Sequence, residues 1–199
     1  MKILLLADTE DPALWDYFSP DRVKGYDLIL AAGDLKAEYL TFLVTMSNLP
    51  VFYVHGNHNA AYDHYPPEGC ECIDDRLVTY RGLRILGLGG SARYSREPYQ
   101  YTEREMRRRI ARLRFAVWKA RGVDIVLTHC PPKGYGDADD YAHRGFEAFL
   151  PMLDRWKPKA LVHGHVHMTY GDIKRELPYG ETRIINAYQR YTLEIDTDK

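Results

Sequence analysis

Side chains that can bind metal ions follow five separate apolar runs of this sequence. They are, in chain order, Asp8 and Glu10, Asp34, Asn57 and His58, His129, and His165 and His167. Carboxylate oxygens, an amide oxygen and imidazole nitrogens suit first-row divalent metals without any thiolate. Each of these residues alone is more often part of a turn or a structural hydrogen bond. Because all five loops carry such residues, the sequence predicts a metal site built from them jointly.

The apolar runs themselves predict the strands that would position these side chains. Each run is short and bounded by turn residues, which is typical of strands buried on both faces. We predict strands at Ile3–Ala7, Leu28–Ala32, Val51–His55, Leu83–Leu88, Val123–Leu127 and Ala160–His163, and a closing hairpin from Thr182–Ala187 and Tyr191–Ile195. Since the carboxyl ends of strands in an open α/β sheet gather ligands, the loops after these strands can converge on one site.

Helical patterns alternate with the predicted strands. The helices are expected at Leu35–Ser47, Thr102–Arg121 and Phe146–Trp156. Thr102 and Glu105 stand at the spacing of a capping box at the start of the second helix. The alternation indicates a single α/β domain over residues 1–199, because no repeat or linker interrupts it. The stretch Ser91–Tyr101 has neither a strand period nor a helix period and is predicted to be a surface loop.

The composition favours a globular protein from a reducing compartment. The chain has 199 residues, a formal net charge of −1 and 45% hydrophobic residues, so it gives no global attraction to nucleic acid or to an anionic membrane. Cys70, Cys72 and Cys130 are too few for a framework of disulfides. The apolar run at the amino terminus ends at Asp8, too early for a secretory signal, and we expect a cytoplasmic protein without membrane association.

The order of the motifs resembles the calcineurin-like metallophosphoesterase superfamily. The similarity runs from Asp8 to His167, and its most specific blocks are Gly56-Asn57-His58 and Gly164-His165-Val166-His167. The segment that begins at Thr128-His129-Cys130 also resembles a branch of small single-domain phosphoesterases, which includes phosphodiesterases. The resemblance implies an α/β fold that consists of a two-sheet β-sandwich flanked by helices.

The resemblance also implies a site with two metal ions. The implied arrangement is a bridge at Asp34, a first metal held by Asp8 and His167, and a second metal held by Asn57, His129 and His165. Mn or Fe would suit this set best, with Zn, Ni and Mg as alternatives. A hydroxide that bridges the metals would attack a phosphomonoester or phosphodiester, and His58 would act as the acid or stabilise charge.

Two positions depart from the pattern of the family. Glu10 stands where the family usually has histidine; it either binds the first metal through oxygen or points away from it. Asn59 stands where the family usually has a carboxylate, so it can accept a hydrogen bond near His58 but brings no charge. Asn59 is also a candidate substrate-binding residue, together with Arg93, Tyr94 and His143 in the loops.

Two other functions remain open on the sequence alone. A protein-binding module could use the same fold without catalysis, although the presence of His58 favours an enzyme. A small nuclease could bind a nucleic-acid backbone through the arginine-rich helix Thr102–Arg121, although a solvated outer face is the simpler interpretation. We therefore expect a small phosphoester as the partner. The choice between monoester and diester and the oligomeric state stay open.

Overall fold

Two β-sheets packed face to face form the centre of the computed structural model, which describes residues 1–170 and 174–197. The strands of the first sheet are β1 (Lys2–Leu6), β2 (Leu28–Ala31), β3 (Val51–Tyr53), β4 (Glu71–Cys72) and β13 (Tyr191–Glu194), in the order β13-β1-β2-β3-β4. Strands β1 to β4 pair in parallel, and β13 pairs antiparallel to β1. The carboxyl ends of four strands therefore lie at one edge of this sheet.

The second sheet repeats this arrangement around a parallel centre. Its strands are β5 (Leu77–Tyr80), β6 (Leu83–Leu88), β9 (Ile125–Thr128), β10 (Ala160–His163), β11 (Glu176–Tyr179) and β12 (Thr182–Asn186), in the order β11-β12-β10-β9-β6-β5. The four inner strands run parallel, and the two edge strands are antiparallel to their neighbours. Two short strands, β7 (Ser91–Ala92) and β8 (Gln100–Tyr101), pair separately.

Helices cover the outer face of each sheet. They are α1 (Ala37–Ser47) over the first sheet, and α2 (Glu103–Lys119) and α3 (Phe149–Trp156) over the second. Alternate residues of β1 show why both faces need cover: Ile3 packs between the sheets, whereas Leu4 packs under α1. The predicted sandwich flanked by helices is confirmed. The predicted capping box is also present, since the Thr102 hydroxyl and the Glu105 carboxylate each accept from the other's backbone N–H.

Two sequence predictions about secondary structure are wrong. The last two predicted strands do not form a hairpin, because β12 pairs with β10 in the second sheet and β13 pairs with β1 in the first. Both strands contribute to the core between the sheets, through Ile185 and Leu193. The predicted loop Ser91–Tyr101 begins and ends in the short strands β7 and β8.

A search of the helices in the described part of the chain finds none with the length and hydrophobicity of a membrane span.

Candidate active site

Loops from both sheets meet at one edge of the sandwich. Asp8 follows β1 and its N–H donates to the Gly33 carbonyl, 3.1 Å away, in the loop after β2. Within the second sheet, the N–H of Gly164 after β10 donates to the carbonyl of His129 after β9, at 2.9 Å. The N–H of His165 reaches from the second sheet to the Asp8 carboxylate, 2.9 Å away, in the first sheet. These hydrogen bonds hold the loops of both sheets in one cluster.

Asp8, Asp34 and His129 form the centre of this cluster. Their ligand atoms all lie within 4.8 Å of one another. The Nε2 atom of His129 lies 3.2 Å from Oδ2 of Asp34 and 3.0 Å from Oδ1 of Asn57. The other ring nitrogen, Nδ1, lies 2.7 Å from the Ala32 carbonyl, which fixes the orientation of the ring. Nε2 and the two oxygens can approach this closely only if a proton or a cation lies between the nitrogen and the oxygens. This set of nitrogen and oxygen donors therefore fits a metal ion.

Unusual backbone conformations bring these side chains together. Asp8, Asp34 and His165 have positive φ angles of 65°, 56° and 69°. This left-handed region is unfavourable for residues other than glycine, and it is often found at functional sites. The Asp34 conformation is supported by the His58 N–H, which donates to Oδ1 at 2.8 Å. A side chain at Gly56 would place its Cβ 2.0 Å from the same oxygen, so the approach of Asp34 requires glycine there.

The charges of the cluster depend on each other. Burial would raise the pKa of Asp34, but the nearby His129 and the hydrogen bonds outweigh burial and lower it to about 2. Burial would lower the pKa of His129, but Asp34 outweighs it and raises that pKa to about 9. Asp8 is different, because burial dominates and raises its pKa to about 7. A bound cation would favour the charged form of both carboxylates.

The remaining candidate histidines surround the centre. The His165 ring lies 4.9 Å from the His129 ring between centroids, and its Nε2 lies 2.8 Å from the Ala142 carbonyl. Burial lowers the pKa of His165 to about 3, which keeps the ring neutral, the form that binds metal. His167 is half-buried, and its ring packs 5.0 Å from that of Tyr188. His58 is exposed beside Asp34, so its ring can meet a substrate.

The comparisons with known proteins agree with this geometry. The family model for calcineurin-like phosphoesterases matches residues 1–169. This chain belongs to the calcineurin-like phosphoesterase family. A UPF0046 protein of Caenorhabditis elegans is 26% identical over 224 residues, which cover 95% of this chain and 70% of the relative.

Two solved structures show that the family fold extends to distant proteins. TT1561 of Thermus thermophilus is 17% identical, with a TM-score of 0.63, and the match covers 94% of this chain and 88% of the other. GAP50, the anchor in the inner membrane complex of Plasmodium, is 14% identical, with a TM-score of 0.56, and the match covers 94% and 70% of the two chains. At these identities the likeness concerns the fold alone.

One oxygen of the Glu10 carboxylate binds a backbone group beside the site. Its Oε1 accepts a hydrogen bond from the backbone N–H of Lys36, 2.9 Å away, just before α1. The carboxylate therefore supports the start of that helix, and the cluster of converging ligand atoms in the described chain includes Asp8 without Glu10. The expectation that Glu10 faces the first metal stays a prediction. The partner is a backbone group distant in sequence, which the spacing of Glu10 from Asp8 does not reveal.

Asn59 links the loops that follow β2 and β3. Its Oδ1 accepts from the N–H groups of Asp34 and Gly56, at 2.8 and 2.7 Å. Its Nδ2 donates to the Leu35 carbonyl at 3.2 Å. The side chain is buried and its hydrogen-bonding capacity is used inside the protein. These hydrogen bonds join the loops of β2 and β3, and the contact of Asn59 with a substrate stays a prediction.

The three other predicted substrate residues have different surroundings. The guanidinium of Arg93 lies 3.0 Å from the Glu105 carboxylate and 3.2 Å from the Gln100 carbonyl, so it secures the start of α2, and its contact with a substrate stays a prediction. The Tyr94 hydroxyl accepts from Nδ2 of Asn57 at 2.9 Å and does reach the site. The His143 ring lies 5.1 Å from the His165 ring between centroids, at the side of the site.

A cavity of about 460 Å³ opens beside the carboxylates. The lining includes Lys36 and Tyr65 and five residues that the sequence had singled out, namely Asp8, Glu10, Asp34, His58 and Asn59. Lys36 and Tyr65 belong to segments that carry no motif, so only the folded arrangement brings them here. The cavity gives a small ligand access to the cluster.

Proposed function

We propose that this protein is a metal-dependent hydrolase that cleaves a phosphomonoester or a phosphodiester. The observation that carries the proposal is the convergence of Asp8, Asp34 and His129, whose ligand atoms lie within 4.8 Å of one another at the mouth of a cavity. Membership of the calcineurin-like phosphoesterase family supports the same reaction class.

The proposed centre holds two metal ions through side chains of both sheets. Asp34 would be shared, since Oδ1 and Oδ2 face different neighbours, the His58 N–H and the His129 ring. The remaining ligands are Asp8 and His167 for one ion, and Asn57, His129 and His165 for the other. Such a mixture of oxygen and nitrogen donors suits Mn or Fe. When bound, the ions supply a water of lowered pKa and polarise the oxygens of a phosphoryl group.

His58 is the proposed acid. Its backbone is fixed by the hydrogen bond to Asp34, 2.8 Å long, whereas its ring is exposed at the cavity. The ring can donate a proton to the leaving oxygen as the phosphoester bond breaks, or stabilise charge on the phosphoryl group. Asn59 holds the loop that carries His58 next to Asp34. Its amide oxygen accepts from the N–H groups of Gly56 and Asp34, at 2.7 and 2.8 Å.

A turnover panel tests the proposal. The substrates are para-nitrophenyl phosphate, its bis ester and cyclic nucleotides, each with Mn, Fe, Zn, Ni and Mg. We expect metal-dependent turnover of at least one ester class. His58→Ala should reduce kcat by about 100- to 10,000-fold while the metal content stays unchanged. His64→Ala is the matched control, since His64 is an exposed histidine of a neighbouring loop.

Three results would contradict parts of the proposal in different ways. Absence of turnover for every ester with every metal would reject a phosphoesterase. Wild-type turnover in His58→Ala would reject only the role of His58, and loss of bound metal in that variant would make His58 a ligand.

A further inference from the structure

A second cluster of ligand-type side chains lies outside the proposed dinuclear centre. His55, Cys72 and Asp74 each offer one ligand atom, and these atoms all lie within 4.8 Å of one another. Nδ1 of His55 is 2.7 Å from Oδ2 of Asp74 and 3.7 Å from Sγ of Cys72. All three residues are half-buried. An imidazole, a carboxylate and a thiol therefore face one another in a partly enclosed position.

We propose that His55, Cys72 and Asp74 form an additional metal site that binds Zn²⁺. A thiolate ligand favours Zn²⁺ over Mn²⁺ or Mg²⁺, and histidine and aspartate are usual companions of cysteine around zinc. One thiolate and one carboxylate balance the two charges of the ion, and a neutral imidazole completes three protein ligands. Water can take the fourth position of a tetrahedral site.

The distances between the ligand atoms suit a zinc ion. Tetrahedral zinc with usual bond lengths separates its sulfur and nitrogen ligands by about 3.6 Å, and its nitrogen and oxygen ligands by about 3.4 Å. The separation of Sγ and Nδ1, at 3.7 Å, already matches. The separation of Nδ1 and Oδ2, at 2.7 Å, is that of a hydrogen bond and has to widen by roughly 0.7 Å on metal binding.

The surroundings hold the three ligands in place. The His55 ring stacks on Tyr99, with centroids 4.2 Å apart and planes inclined by 10°. Oδ1 of Asp74 accepts from the Gly89 N–H at 2.7 Å, and Oδ2 accepts from the His55 N–H at 3.2 Å. Cys72 lies on β4, where the sheet fixes its backbone. Zinc bound here would connect the end of β3, which leads to Asn57 and His58, with β4 and the segment between β4 and β5.

Cys70 provides a matched control for Cys72. The two cysteines are separated by one residue, both are half-buried, and both pack against the layer of side chains under α1. Among the described residues, the cluster of ligand atoms within 4.8 Å of one another includes Cys72 but not Cys70. Cys70→Ser should therefore leave the zinc site intact, whereas Cys72→Ser should remove it.

Titration of the metal-free full chain with Co²⁺ tests the proposal. Cobalt bound to a thiolate gives a sulfur-to-metal charge-transfer band in the near ultraviolet, and the residues assigned to the dinuclear centre include no cysteine. The band thus reports on this site independently of any phosphoesterase activity. We expect the band in the wild-type chain and in Cys70→Ser, its loss in Cys72→Ser, and its displacement by Zn²⁺. Zinc content should fall by one ion per chain in Cys72→Ser.

Three results would overturn the site. They are the absence of the band in the wild-type chain, its persistence in Cys72→Ser, and its loss in Cys70→Ser. The wild-type titration needs no substitution, so a variant that fails to fold does not leave the proposal untested.

Discussion

At the residue scale, two hydrogen bonds fix the orientation of the Asn57 side-chain amide in the candidate site. Oδ1 of Asn57 lies 3.0 Å from Nε2 of His129, and Nδ2 donates to the Tyr94 hydroxyl at 2.9 Å. Because Tyr94 accepts from the nitrogen end, the oxygen end is directed into the cluster. Tyr94 thus acts on the metal site through Asn57, as a positioning residue.

Removing this hydroxyl should weaken metal binding. We expect Tyr94→Phe to lower metal affinity by about 10- to 100-fold, the usual effect of losing a partner of a metal ligand, as measured by calorimetric titration. Arg93→Ala is the control, because it lies in the same loop but its guanidinium binds Glu105. Unchanged affinity in Tyr94→Phe would mean that Asn57 is oriented without Tyr94.

The sequence indicated which residues have side chains suited to the site, but it did not reveal which groups those side chains bind. The convergence of Asp8, Asp34 and His129 follows from the motifs, because each stands directly after a buried strand. Asn59 and Glu10 have equally suitable side chains, yet they bind backbone N–H groups. Such partners depend on how two loops approach each other, and no spacing in the sequence encodes that approach.

At the scale of elements, helix α1 begins without a cap from its own sequence. The residue before it, Lys36, has no capping side chain, and Glu10 from the loop after β1 accepts its N–H at 2.9 Å. A carboxylate near the first turn also interacts favourably with the helix dipole. The loop of the first strand and the helix after the second are thereby joined.

Glu10→Ala should therefore destabilise the protein without removing metal. We expect a loss of about 1 kcal/mol in the free energy of unfolding, as for other capping residues, measured by urea denaturation. Glu97→Ala, at an exposed loop position, removes the same charge and serves as the control. A fall in metal content with unchanged stability would instead make Glu10 a ligand.

Strands were predicted well where both faces are buried and poorly where one face is exposed. The runs that became β1, β2, β9 and β10 are continuous apolar segments, which is typical of central parallel strands. The sequence missed β5 and β11, which lie at sheet edges and are only partly buried. Pairing of β12 and β13 was predicted wrongly because nearness in sequence does not decide which sheet a strand joins.

At the scale of the whole molecule, one enclosed ion pair makes stability depend on pH. Arg84 binds both oxygens of Asp124, each at 2.8 Å, and Asp124 is buried. Burial would raise the pKa of Asp124, but the hydrogen bonds and charge of Arg84 outweigh it and lower the pKa. A carboxylate whose pKa is lower in the folded state stabilises the fold above its unfolded pKa, and this stabilisation is lost as the pH falls.

Asp124→Asn should consequently be most harmful at neutral pH. We expect a loss of about 3 kcal/mol there, because Arg84 keeps its charge without a carboxylate. The difference from the wild type should shrink below about pH 4, where the unfolded carboxyl becomes protonated. Urea denaturation at neutral pH and below about pH 4 measures this difference in the free energy of unfolding. Glu71→Gln, in an exposed pair with Arg76, should change stability by about 0–1 kcal/mol. If Asp124→Asn lowered the free energy of unfolding equally at both pH values, the loss would come from altered packing and not from the missing charge.

The pairing of the first strand with the last has a consequence for biosynthesis. Strand β1 lies between β2 and β13, so one of its edges has no partner until the carboxyl-terminal segment leaves the ribosome. Ile3 to Leu6 are fully apolar, and an uncovered edge of this kind promotes aggregation. Until β13 has been synthesised, this edge of β1 can therefore pair with strands of other chains, so the risk of misassembly is greatest during synthesis.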